Sequence, residues 1–205
     1  HHDGHLTPLK QKNVDTGWGL ERILAFLNGT RDVYQTDLFS PVIAYIEEVS
    51  GVKYNADEKL TRSMRILADH LRTGVMLIGD EAKLLPGYIL RRLIRRAVRH
   101  GRTLNMTTEQ LLHIAAIYID EIYAESYPLM KKNREFILSE LQKEIARFES
   151  TLENGMKELQ KILEQKRSEG KKQIDGKSAF YLYDTFGFPL ELTVELAQEE
   201  NLTVD

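Results

Sequence analysis

The stretch 131–167 constrains this chain more than any other. Leu138, Leu141, Ile145, Phe148, Leu152, Met156, Leu159 and Leu163 recur at steps of three or four, the spacing that keeps apolar side chains on one face of a helix. The pattern is close to a heptad seam, and the step from Leu152 through Met156 to Leu159 departs from strict heptad order in the manner of a stutter. Such a helix can bury its face against its own domain or against a second copy as a coiled coil. The spacing favours the first.

After Gly29 the rest of the chain reads as helix after helix. One spans 37–49 and is stopped by Gly51. A second spans 57–77. A third spans 88–100, with Gly101 as its stop. A fourth spans 107–124, with Thr107 or Thr108 as N-cap. Two short helices follow, 177–185 and 189–201, the second with Pro189 in its first turn. The polar run 165–177 reads as a loop, and the junction of Pro86 and Gly87 as a surface loop between two helices. Strand signals are sparse. The best is 6–14, which holds Pro8 and suits only a short or edge strand. The fold class is mainly α, and 205 residues leave room for one domain, or one domain and a remnant of another.

Composition excludes several functions. The chain has no cysteine, so disulfides, thiolate metal sites and a cysteine nucleophile are out, and a reducing compartment is consistent. No apolar run approaches the ~18 residues of a membrane span, and the first residues lack a signal-peptide core. Net charge is −3, so nucleic-acid binding would need a local basic patch.

That patch is in "GYILRRLIRRAVRHG" at 87–101. At about 100° per residue, Ile89, Leu90, Leu93, Ile94, Ala97 and Val98 share one half of the helix. Arg91, Arg92, Arg95, Arg96 and Arg99 fill the other half. Five like charges on one face call for carboxylates from elsewhere in the chain or for a phosphate backbone.

Three other stretches carry candidate chemistry. In "VDTGWGLERILAFL" at 14–27, Leu20, Ile23, Leu24 and Leu27 define a helical face directly behind Gly17 and Gly19. Glycines let a ring or phosphate approach the backbone, the helix start favours an anion, Arg22 lies off the apolar face, and Asp15 could hold an ammonium group. In "LYDTFGFPLEL" at 182–192, Asp184 precedes a turn built by Gly187 and Pro189. It reads either as a turn aspartate or as an acceptor for a base amino group. The pair Asp69–His70 could hint at a metal-dependent phosphohydrolase, but no further ligands stand out, and His70 reads better as a hydrogen-bonded core or interface residue. No metal site is assigned.

The stretches "NVDTGWGLERILAFL", "RILADHLRT", "GYILRRLIRRAVRHG", "RFESTLENG" and "LYDTFGFPLELT" together resemble, in the same order, segments of the alanyl-tRNA synthetase family of class II aminoacyl-tRNA synthetases. The resemblance covers essentially the whole chain. It implies the end of a catalytic domain (motif 3) over 1–29, a strand-helix remnant of an antiparallel sheet domain, and a helical tRNA-recognition domain over 30–205. It implies that Asp15 holds the alanine amino group, that Gly17, Gly19 and Arg22 bind ATP, and that Asp184 reads a G·U pair of the acceptor stem. The parent enzyme would use ATP and Mg2+ to join alanine to tRNA(Ala) in the cytoplasm. This chain, without motifs 1 and 2 or the editing domain, would bind the acceptor stem, with neither ATP nor Mg2+ held by the fragment alone. Its partners would be tRNA and the rest of the synthetase chain, with no membrane. One departure is visible: the family's Pro-Ser-Asn loop, whose Asn is a second G·U reader, has no counterpart in "KLLPGYILRR". The competing reading is a helical or coiled-coil interaction scaffold with no nucleic-acid role.

Overall fold

The computed structural model describes residues 8, 10–14, 16–80, 88–186 and 188–205. Among them the regular structure is almost all helical: α1 (Leu20–Leu27), α2 (Ser40–Ser50), α3 (Glu58–Gly79), α4 (Tyr88–Thr103), α5 (Thr108–Ile117), α6 (Pro128–Lys132), α7 (Arg134–Ser168), α8 (Gly176–Phe186) and α9 (Leu190–Glu199). Two short strands, β1 (Gln173–Ile174) and β2 (Thr203–Val204), pair in parallel. The mainly α class is as expected. The antiparallel sheet remnant is not found: residues 8 and 10–14 of the expected strand carry no strand, and the one small ladder lies elsewhere and is parallel. Asp15, Gly187 and the junction of Pro86 and Gly87 lie outside the described residues.

Side-chain chemistry sets several helix ends. Asp57 caps α3 by accepting from the Leu60 N–H at 2.8 Å. Thr107 and Gln110 form a reciprocal capping box at the start of α5, satisfying two backbone donors left over at a helix start. Gly51 ends α2 at φ +71, as expected. Gly101 does not end α4, which continues to Thr103 before Asn105 turns left-handed at φ +55. A Cβ on Gly101 would stand 2.9 Å from a Leu111 methyl, so this glycine lets α5 approach α4. The helix expected over 107–124 loosens into a π-helical turn at Tyr118–Ile122. The run 165–177 is not all loop: α7 extends to Ser168, Gly170 turns at φ +66, and β1 follows. Pro189 is the N-cap of α9 rather than a first-turn residue.

The core lies where α3, α4, α5 and α7 meet. Met64, Leu67, Leu71 and Val75 from α3 pack with Ile94, Ala97 and Val98 from α4 and Leu111 and Ile114 from α5. Ile89, expected on the apolar face of α4, is exposed. Tyr118 is fully buried and donates to the Ala68 carbonyl at 2.9 Å, which satisfies its one polar atom; burial pushes its phenol far above the ordinary range. The buried row of α7 runs Ile137, Leu141, Ile145, Phe148, Leu152, Gly155, Leu159, Ile162 and Lys166. It is displaced by one residue at three points from the expected seam, with Ile137, Gly155 and Ile162 in place of Leu138, Met156 and Leu163. Gly155 is buried because Phe188 lies on it: a Cβ there would fall 2.2 Å from the ring. This seam is covered by the chain's own helices, so among the described residues it offers no open coiled-coil face.

Candidate nucleic-acid interface

The five arginines of α4 line one cleft. It has a volume of about 470 Å³ and is walled by Arg91, Arg92, Arg95, Arg96 and Arg99 on one side, by Phe148 of α7, and by Tyr183, Leu192, Glu191 and Glu195 of the α8–α9 hairpin. Burying Ile94, Ala97 and Val98 leaves the opposite side of α4 to face this cleft, as the helical spacing predicts.

Carboxylates do reach the stripe from other helices. Glu144 of α7, only 12% exposed, sits 3.8 Å from Arg91 and 3.7 Å from Arg95. Glu191 is 3.3 Å from Arg92. Arg99 is paired with Glu195 and lies 3.9 Å from Glu199. Arg95 also lies over the Phe148 ring at 5.5 Å. Arg96 is exposed and has no ion pair among the described residues. The acidic neighbours that the stripe called for are present among the described residues: Glu144, Glu191, Glu195 and Glu199 face it. The pair of Arg92 with Glu191, both about half exposed, contributes ~0–1 kcal/mol, whereas Glu144 and Arg99 are largely withdrawn from solvent.

The field of the stripe reaches inward. His100, half-buried behind Arg99, has its Nδ1 3.0 Å from the Ser63 hydroxyl. Burial, followed by Arg99, Arg96 and Arg62, brings its imidazole down to about 4. Burial also pulls Arg99 below its ordinary value, with Arg96 and Arg62 adding to the effect and Glu199 opposing it.

Asp184 is exposed on the last turn of α8, directly after Tyr183, which lines the cleft. The other named residues lie apart from the stripe. Gly19 is the N-cap of α1 with φ −72; Gly17 would meet nothing within 4 Å if it bore a Cβ, and Gly19 only the Arg22 side chain at 3.7 Å. The described packing thus requires neither glycine. Arg22 is exposed, and α1 buries only Ala25, while Trp18, Leu20, Leu27 and Phe26 (82%) face outward. The helix is anchored by Glu21, which pairs with Arg72 of α3. Asp69 and His70 hydrogen-bond each other at 2.9 Å, and the described residues hold no group of three metal-capable side chains. No helix among them is long and apolar enough to cross a membrane. The sequence pattern alone does not single out Glu144 or Tyr183. The one legible hint was the acidic row Glu191, Glu195 and Glu199, spaced at one face of α9.

The comparisons with known proteins place this helical chain in a family. The family described as "tRNA synthetases class II (A)" matches residues 1–205, and the chain belongs to that family. Its curated relatives include the alanine–tRNA ligases of Trichormus variabilis, 45% identical over 208 residues, Prochlorococcus marinus strain AS9601, 47% over 207 residues, and Carboxydothermus hydrogenoformans, 42% over 207 residues. These alignments cover 98%, 99% and 98% of this chain respectively, but only 23% of each relative.

Proposed function

We propose that this chain is the acceptor-stem-binding part of an enzyme that activates alanine with ATP and transfers it to tRNA(Ala) in the cytoplasm. The observation that carries the reading is the pure arginine face of α4, opening on a cleft in which Arg96 has no ion pair among the described residues. Phosphate contacts from such a face position an RNA without reading its sequence. Asp184, exposed beside that cleft, has the opposite role: a carboxylate repels phosphates but accepts from a guanine amino group, which lies in the wide, shallow minor groove of an RNA helix.

The start of the chain, with the boundary set at 29/30, is read as the end of the catalytic domain. Asp15 would accept from the alanine ammonium group. Gly17 and Gly19, unconstrained by the described packing, and the exposed Arg22 fit an approaching nucleotide phosphate. No described donor set fits Mg2+, and no step is assigned to it. The outward-facing Trp18, Leu20, Phe26 and Leu27 suit burial against the rest of the synthetase.

The test is binding of stem-loops carrying G·U or G·C across a salt series. Replacing one stripe arginine should weaken both stems about equally and lower the salt slope by roughly one unit or less. Asp184→Asn should leave general binding intact and cost on the order of 1–3 kcal/mol of discrimination. Equal weakening of both stems by Asp184→Asn would make Asp184 a structural residue.

A further inference from the structure

A phosphate-binding face accounts for the charge of the α4 cleft but not for its size or its aromatic wall. We infer that the cleft takes one unpaired nucleotide of a bound RNA, with the base laid on the Tyr183 ring and its phosphate on Arg96. The inference rests on the RNA-binding reading above and names what enters the same site.

Size comes first. A volume of about 470 Å³ is that of a small-ligand site. A stem helix can lie across its mouth, and a single splayed-out nucleotide can enter. The aromatic wall comes second. Tyr183 is 52% exposed and has neither a ring partner nor a hydrogen bond among the described residues, whereas its neighbour Tyr181 lies edge-on to Phe186 at 5.5 Å. Phe180, one helical turn earlier, is 63% exposed. Phe180, Tyr183 and Asp184 fall at i, i+3 and i+4, so one side of α8 offers two open rings next to the carboxylate. Open rings beside guanidinium groups are the combination with which proteins hold unpaired bases.

The charges come third. Glu191 and Glu195 line the cleft together with the arginines. A run of phosphates would meet those carboxylates. One nucleotide brings a single phosphate for the exposed Arg96, and it brings ribose hydroxyls and base amino groups that glutamates can accept from. The mixed wall therefore suits a nucleotide better than bare backbone.

The experiment titrates the 205-residue chain with a blunt acceptor-stem hairpin and with the same hairpin bearing an unpaired 3′ extension, read by fluorescence anisotropy. The extension should tighten binding at least about fivefold, the low end of what stacking one base contributes. Tyr183→Ala should remove that gain, bringing the ratio of extended-hairpin to blunt-hairpin affinity to about one, and Tyr183→Phe, which keeps the ring face, should retain it. A gain that survives Tyr183→Ala, or one lost equally in Tyr183→Phe, overturns the inference. If the blunt hairpin binds but the extension adds nothing, the nucleotide pocket is wrong and the RNA reading stands. If neither RNA binds, both fall.

Discussion

Two sets of arginines, both facing carboxylates, behave differently. Arg65 on α3 donates to the Tyr54 hydroxyl at 2.7 Å and to Asp32 at 2.8 Å, and its guanidinium lies over the rings of Tyr34 and Tyr54. Asp32 is saturated in turn, accepting also from the Tyr34 N–H and the Tyr54 hydroxyl. Burial pushes this carboxyl up, but those hydrogen bonds and Arg65 outweigh it, so it stays below its ordinary value. Arg72 is similarly fixed by Glu21 and the Phe39 ring. On α4, Arg91, Arg92, Arg95 and Arg99 meet four carboxylates among the described residues, most at 3.3–3.9 Å. The first set is held by close hydrogen bonds and by the aromatic rings beneath it, and acts as structure. Among the described residues the second set meets its carboxylates mostly at longer range, and this difference is what the RNA-binding proposal draws on.

The contrast can be broken or sharpened by four measurements. The largest effect is expected from His100, whose neutrality depends on burial and on the stripe behind it. Its folded value, about 4, lies below the ordinary 6.5. The unfolded chain therefore takes up the proton first as pH falls. The stabilisation from neutral His100 is complete above about pH 6.5 and is lost between there and pH 4, amounting to up to about 3 kcal/mol. Chemical denaturation from pH 7 to 4.5 should show that slope, and His100→Gln should flatten it. Next, Arg65→Ala should cost about 2 kcal/mol in thermal or urea unfolding by stranding Asp32 and Tyr54, with RNA affinity unchanged. Glu144→Gln should cost about 1 kcal/mol, since it leaves Arg91 and Arg95 facing each other with less compensation. The same variant should bind RNA more tightly, and unchanged RNA affinity would mean that Glu144 does not restrain the stripe. The smallest stability effect is that of Arg96→Ala, within about 0.5 kcal/mol for an exposed residue without an ion pair. Its effect on RNA should show as a salt slope lower by about one. If Arg96→Ala destabilises the fold as much as Arg65→Ala, the two sets are not different in kind.

Local signals in the sequence carried far. The helices around Leu67, Ile94 and Ile145 follow from periodicity, the cap at Thr107 from residue type, and the arginine face from its lack of any apolar intruder. The errors share a cause: the deciding partner lies far away in sequence. Gly101 reads as a helix stop because Leu111, which needs the space, is on the next helix. Met156 reads as a seam residue because nothing local announces that Phe188 covers Gly155 instead. Glu144, the best-buried carboxylate of the cleft, is one of several glutamates on α7 until α4 is packed against it. The parallel pairing of β1 with β2, two residues each, joins segments about thirty positions apart and leaves no periodic trace.

The contact between Gly155 and Phe188 also has a mechanical meaning. Phe188 follows α8 closely and precedes α9, and its N–H donates to the Leu182 carbonyl at 3.0 Å. The ring is thus a peg seated in a notch of the long helix. Tyr183 and Asp184 lie on the helix before that peg, and Glu191 and Glu195 on the helix after it. The width of the cleft is therefore gauged by the absence of a single side chain on the helix beneath it, as the depth of a mortise sets how far a door stands from its frame.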